Sequence, residues 1–276
     1  MIAGALLINC MMVYLLVFIA GFVLLWYIQL LSKRRQLELE TQNRELQDLN
    51  AAKDKFISIV AHDLKTPAAN IESLSQTLQE RFDDLGEEEQ KSCIEMLVES
   101  VKTHNELLNS LLDLSRLRLG GKRFNPERLN ICKLVDEVLE QTKLQAQQKR
   151  ISQSNQTDEI FVNADKNMIT TVIRNLMVNA IKFTYSGGRI VVRSEKKNTE
   201  VIVSVTDTGI GIADAKKDRI FGIDNSESTT GTANETGTGL GLMLCKEYVK
   251  RNGGEIWFES EQGKGTTFFF TLPAFT

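Results

Sequence analysis

Apolar positions follow three rhythms along this chain, and each rhythm predicts a different kind of element. Ile2 to Leu31 carries no charged side chain, and Asn9 and Gln29 are its strongly polar interruptions. At roughly 1.5 Å of rise per residue, such a run is long enough to cross a bilayer as a helix. A cleaved leader and a buried soluble helix are the alternatives, but the run lacks a basic start and is too long for a leader's apolar core. Lys33, Arg34 and Arg35 follow at once, with Trp26 and Tyr27 just before them. Residues 1–31 are therefore expected to be a single pass through the plasma (inner) membrane, with everything after the basic triplet in the cytoplasm.

The second rhythm steps by three and four. Leu39, Leu46, Leu49, Phe56 and Val60 lie on one seam, broken by Lys53, which predicts a continuous helix with 32–52 as a coiled-coil connector. Ile94, Leu97, Val98, Val101, Leu108, Leu111 and Leu112 repeat the spacing. The acidic stretch Asp83 to Glu89, which includes Gly86, is the expected turn, so 53–119 reads as a helical hairpin. Two helices cannot enclose a core, and two copies forming a four-helix bundle would, so a homodimer is expected.

Gly120 and Gly121, then Asn125 and Pro126, mark 120–126 as a linker. Beyond it the rhythm is mixed. Helices are predicted for Ile131–Lys149 and Asp165–Phe183, and strands for Arg189–Glu195 and Val201–Asp207 with a hairpin at Lys197 and Asn198. A long loop, a helix after Gly239 and closing strands near Ile256 and Phe268 complete it. The expected class for 127–276 is α+β, a mixed sheet covered by helices on one face.

Composition narrows the possibilities. A net charge of -3 gives no bulk basic character, so nucleic acid is not an expected partner. Cys10, Cys93, Cys132 and Cys245 are far apart and form no C-x-x-C pair, so neither a zinc site nor a disulfide framework is indicated.

Candidate chemistry sits in short clusters. In His62-Asp63-Leu64-Lys65-Thr66-Pro67, His62 lies on the watery flank of the seam, and Asp63 is placed to take or share its proton. Pro67 removes the N–H that would bond the Asp63 carbonyl, so the helix is expected to bend or loosen there. A surface His beside an Asp is by itself ordinary. His104 continues the Leu97 and Val101 side of its helix and reads as a core or interface residue. Asn175, Asn179 and Lys182 form a polar stripe bordering the apolar stripe Ile169, Val172, Ile173, Leu176 and Ala180. Amide oxygens suit a hard cation and amide N–H groups suit phosphate, although such a stripe can equally be a solvated face. Period two places Asp207 in the row of Val201, Val203 and Val205, where a buried carboxylate needs donors; an amino group such as adenine's would serve, and so would capping a turn. Gly209 and Gly211 come next, leaving room for close backbone approach to a flat ligand. Gly237-Thr238-Gly239-Leu240-Gly241 opens a helix and offers backbone N–H groups to phosphates, without the spacing of a dinucleotide or Walker loop.

The order of these clusters resembles the transmitter region of sensor histidine kinases over about Lys53 to Pro273. His62 to Pro67 is similar to the H box, Asn175 to Lys182 to the N box, and Asp207 to Gly211 and Gly237 to Gly241 to the two glycine boxes. The resemblance implies a dimerising hairpin followed by the ATP-binding domain shared with gyrase, the Hsp90 chaperones and MutL. It implies His62 as phospho-acceptor, Asp63 as its acid/base neighbour, Asn179 as a Mg²⁺ ligand, Asn175 and Lys182 near the phosphates of ATP, and Asp207 reading adenine. Ile220-Phe221-Gly222-Ile223 departs from the F box, which often has a second Phe where Ile223 stands.

The activity implied by the resemblance is autophosphorylation and transfer to a response regulator. As no receiver-like segment or extracytoplasmic sensor is recognisable, the regulator is expected on a separate chain, and the stimulus is expected through a partner, the membrane or a longer protein. Thr66, one turn after His62, matches the family spacing associated with dephosphorylating the regulator, and it can also simply satisfy local backbone. A chaperone-like ATPase and a membrane scaffold with a degenerate nucleotide site are the rival functions.

Overall fold

The structure, a computed structural model, describes residues 2–118, 124–222, 231–233 and 240–275. Two compact units divide at Ile57.

The first unit is one continuous helix, the beginning of α1 (Ile2–Arg81). The expected span falls here, where the side chains of 1–17, 19, 20 and 23 lie outside the described residues. Among the described residues no helix is long and apolar enough to cross a membrane.

The second unit holds the rest of α1, which continues unbroken through Pro67. Pro67 itself is buried, and the Thr66 hydroxyl donates to the His62 carbonyl at 3.2 Å. A short 3-10 turn at Phe82–Asp84 ends the helix. The side chain of Gln90 donates to the Phe82 and Leu85 carbonyls at 2.7 and 3.2 Å, and Glu89 accepts from the Gly86 N–H at 3.1 Å. These bonds satisfy groups that a helix end leaves orphaned, and they start α2 (Glu87–Arg118). Leu107 and Leu114 are buried, while Val98, Met96, Ile94, Leu112 and Leu108 remain exposed.

The α/β part opens with β1 (Pro126–Asn130), α3 (Ile131–Gln148), β2 (Ser152–Gln156), β3 (Phe161–Asp165) and α4 (Lys166–Phe183). It continues with β4 (Arg189–Lys197), β5 (Glu200–Asp207), the single turn α5 (Asp214–Lys217), α6 (Leu240–Arg251), β6 (Ile256–Glu261) and β7 (Gly265–Pro273). Asn130 and Asp165 cap α3 and α4, accepting from the N–H groups of Lys133 and Met168.

The main sheet has the order β2-β4-β5-β7-β6. It is mixed, because β2 runs parallel to β4 and the other neighbours are antiparallel. Ile131, Val135 and Val138 of α3 and Ile169, Val172, Ile173 and Leu176 of α4 are buried with Val201, Val203, Val205, Phe270 and Leu272 of the sheet. That burial supplies most of the domain's stability, at about 25 cal/mol per Å² of apolar surface. Where sequence patterning foresees one sheet, a second is present, the antiparallel pair β1-β3. Its strands are short, and β2 is a wholly polar Ser-Gln-Ser-Asn-Gln edge, so neither produces an apolar alternation. The linker glycines Gly120 and Gly121 lie outside the described residues.

Candidate functional site

His62 stands on α1 with its side chain 80% exposed, and its Nδ1 lies 3.3 Å from Asp63 Oδ1, on a carboxylate only 19% exposed. The pair leaves Nε2 as the ring nitrogen turned from the carboxylate. Thr66, also exposed, has its hydroxyl hydrogen on the His62 carbonyl. His104 is half-buried on α2, with its Nδ1 buried and without a hydrogen-bond partner among the described residues.

A second constellation forms where α4, the end of β5 and the start of α6 meet. The period-two burial of β5 carries Asp207 inward to 6% exposure. Its Oδ1 accepts from the Gly209 N–H at 2.8 Å and from the Thr266 N–H at 3.2 Å. Burial pushes the carboxyl up to about 6, against the opposing pull of those two amides. Thr266, directly across the ladder from Asp207, is a contributor that sequence reasoning misses, since only strand register reveals it.

The glycines after Asp207 are required by neighbouring protein backbone. A Cβ at Gly209 would strike the Phe183 carbonyl, and one at Gly211, which has φ +67, would strike the Glu261 carbonyl. The first glycine motif is thereby pressed against the end of α4, where the Ile210 N–H also bonds the Phe183 carbonyl at 3.0 Å.

Asn175 and Asn179 are half-buried on α4, and Lys182 is 8% exposed in its last turn. Asn175 Nδ2 approaches the Gly241 carbonyl at 3.4 Å, which joins the amide stripe to the first turn of α6, where Leu240 is buried. Cys245 on α6 is fully buried, and desolvation pushes its thiol up to about 12, so it acts as packing. Gly237, Thr238, Gly239 and Ile223 lie outside the described residues. Among the described residues no group of three or more His, Cys, Asp and Glu side chains is placed to hold a metal. Asn175 and Asn179 each bring an amide oxygen, a hard donor, to this wall.

An open cleft of about 340 Å³ lies beside Asp207 and Thr266, walled by Glu259, Ser260 and Lys264. It does not include Asn175, Asn179 or Lys182, so it is not where the amide stripe and the carboxylate converge.

Hairpin and α/β domain also meet in a way that patterning does not foresee. α2 packs on α6, and the buried Tyr248 donates its hydroxyl to Asp113 Oδ2 at 2.7 Å.

Comparison with known proteins divides the chain in the same way. Residues 52–120 match the family described as His Kinase A (phospho-acceptor) domain. Residues 164–276 match the family of histidine kinase-, DNA gyrase B- and HSP90-like ATPases. Drug sensory protein A of Synechocystis is 33% identical over 244 residues, covering 83% of this chain and 36% of its own length. Sensor histidine kinase WalK of Bacillus subtilis is 31% identical over 240 residues, covering 83% of this chain and 38% of its own length. The chain thus spans a little over a third of these curated relatives. Among solved structures, histidine kinase ThkA in complex with response regulator protein TrrA superposes with a TM-score of 0.61 at 25% identity. That match covers 83% of this chain and 64% of the other.

Proposed function

This chain belongs to the sensor histidine kinases, carrying their transmitter region, and on that premise we propose that it uses ATP to phosphorylate its own His62 and passes the phosphoryl group to a response regulator on a separate chain. The observation that carries the reading is the contrast between two ionisable side chains. His62 is exposed with a carboxylate at its Nδ1, as a nucleophile must be, whereas Asp207 is buried with Oδ2 unbonded among the described residues, as a reader of an amino group must be.

The residues divide the work by chemistry. Asp207 accepts from the exocyclic amino group of adenine, and Gly209 and Gly211 keep the neighbouring backbone close. Asn175, Lys182 and the backbone of Gly237, Thr238, Gly239, Leu240 and Gly241 neutralise the phosphates. Mg²⁺, held by Asn179, would supply charge neutralisation on the phosphate oxygens. Nε2 of His62 attacks the γ-phosphorus, the bond to the ADP oxygen breaks, and Asp63 accepts the proton shared at Nδ1.

Three further assignments belong to this proposal. The charge-free run Ile2 to Leu31 anchors the protein in a membrane with the kinase part cytoplasmic. The exposed seam of α2 is the face on which a second copy completes a bundle. Thr66, whose oxygen keeps an acceptor position while donating to the His62 carbonyl, holds a water for regulator dephosphorylation. For Thr66 the measurement is a pair of rates in Thr66→Ala: loss of phosphate from the regulator should fall much more than self-phosphorylation, and a parallel fall would reduce Thr66 to a helix support.

Incubation with γ-labelled ATP and Mg²⁺ tests the main reading. The expected product is a protein label that is acid-labile, base-stable and chased onto a receiver domain. Turnover of ATP with no protein label would favour a chaperone-like ATPase.

A further inference from the structure

The C-terminal end of α4 is closed by donors from elsewhere in the chain. A helix leaves its last carbonyls without intrahelical partners. Here the Ile181 carbonyl accepts from Lys149 Nζ at 2.8 Å, and the Lys182 carbonyl accepts from the same ammonium at 2.9 Å. The Phe183 carbonyl accepts from the Ile210 N–H at 3.0 Å. The Thr184 carbonyl accepts from the Thr232 hydroxyl at 2.8 Å. Thr232 also gives its backbone N–H to the Lys182 carbonyl at 3.0 Å, and its hydroxyl oxygen receives Lys149 Nζ at 2.7 Å.

Lys149 and Thr232 therefore act as one clip. The ammonium has three N–H donors, and the oxygens in its reach include the Ile181 and Lys182 carbonyls, at the negative end of a helix, and the Thr232 hydroxyl. The threonine hydroxyl has a single hydrogen with two carbonyls in reach, Thr184 at 2.8 Å and Lys182 at 3.1 Å, and an acceptor position, filled by the lysine. The clip joins residues far apart in sequence, since Lys149 follows α3 and Thr232 lies between the two glycine motifs. What it grips is the helix that presents Asn175, Asn179 and Lys182.

We infer that Lys149 and Thr232 are positioning residues for the nucleotide site, holding the end of α4 and the chain at 231–233 in the register at which the amide stripe and Lys182 face the phosphates. The inference rests on the nucleotide-binding reading above and adds two residues to it. Neither touches the reacting atoms. Without the clip the α4 terminus and the 231–233 segment are free to separate, and ordering them must be supplied by the nucleotide, which weakens binding without altering the chemical step.

The test compares the full chain with Thr232→Val, Thr232→Ser and Lys149→Met. It reads affinity for a fluorescent ATP analogue, KM and kcat of self-labelling, and ligand-free thermal unfolding. Thr232→Val should bind nucleotide about five- to tenfold more weakly, the scale of one lost hydrogen bond. Its KM should rise in parallel while kcat stays within about twofold. Thr232→Ser, which keeps the hydroxyl, should restore affinity, and Lys149→Met should lose at least as much as Thr232→Val. Parental affinity in Thr232→Val would overturn the inference, as would a lowered unfolding temperature with unchanged binding. If the parent binds the analogue but never labels itself, the kinase reading fails while the binding comparison still decides the clip.

Discussion

The helical hairpin and the α/β domain bury their apolar residues to very different degrees. In the α/β domain Val135, Val138, Ile169 and Val172 are at 0% exposure, and each helix has a sheet to cover. In the hairpin Val98 is 59% exposed, Ile94 47% and Leu112 45%, although the same three-and-four spacing places them on one seam. Equal hydrophobicity therefore has unequal consequences: the domain that reads as the nucleotide site buries these side chains within one chain, and the hairpin that carries His62 leaves its seam exposed. This arrangement suits phosphoryl transfer between parts. A rigid, closed fold can preorganise a charged substrate, while an open, exposed imidazole can be presented first to that substrate and then to another protein.

The largest expected break in this contrast is on the closed side. Asn179→Asp adds a charge where a neutral oxygen ligand is proposed, and self-labelling at saturating Mg²⁺ should fall roughly a hundredfold, the scale of one lost preorganised electrostatic partner. An unchanged magnesium dependence and rate would move the metal ligand elsewhere.

On the open side, Val98→Glu together with Leu112→Glu should weaken self-association at least about tenfold by placing charges in an apolar seam, as read by analytical ultracentrifugation. Melting of the α/β domain should be unaffected. Undiminished association would mean that the seam is not where copies meet.

A smaller, pH-dependent effect separates the two states of Asp207. Its carboxyl in the folded protein sits at about 6, above the ordinary 3.8, so ligand-free stability should fall as pH rises between those values. Nucleotide affinity should move the opposite way and rise severalfold as pH climbs through about 6, because an amino donor bonds a carboxylate more strongly than a neutral acid. Asp207→Asn removes both trends and cancels the titration of the phosphates, which is common to the two proteins. The same pH slope of affinity in Asp207→Asn would take Asp207 out of adenine recognition.

The smallest effect concerns the contact between the two parts. Tyr248→Phe deletes the bond to Asp113, and hairpin and domain should part more readily by about 1 kcal/mol, seen as faster hydrogen exchange in α6. Burial and the Asp113 carboxylate both raise the phenol above its ordinary range, so this bond should persist through neutral pH.

Much of this architecture is legible from periodicity. The seams predict the hairpin, and the alternation Val201, Val203, Val205 leads to an inward Asp207. What escapes is whatever depends on residues distant in sequence. The strands of the β1-β3 sheet and polar β2 exist through pairing and not through their own pattern. The amide of Thr266 meets Asp207 only because of the β5-β7 register, and Lys149 meets Thr232 across 83 positions. The glycines at 209 and 211 are visible as glycines in the sequence, but the backbone each must clear, at Phe183 and Glu261, is not.

If nucleophile and nucleotide site reside on separable parts, His62→Gln should divide them cleanly. The full chain and this variant are incubated with γ-labelled ATP and Mg²⁺, and binding of a fluorescent ATP analogue is measured alongside. The acid-labile label should be lost completely, with nucleotide affinity unchanged within about twofold. Full labelling of His62→Gln, or loss of nucleotide binding together with the label, would show that the two functions are not divided in this way.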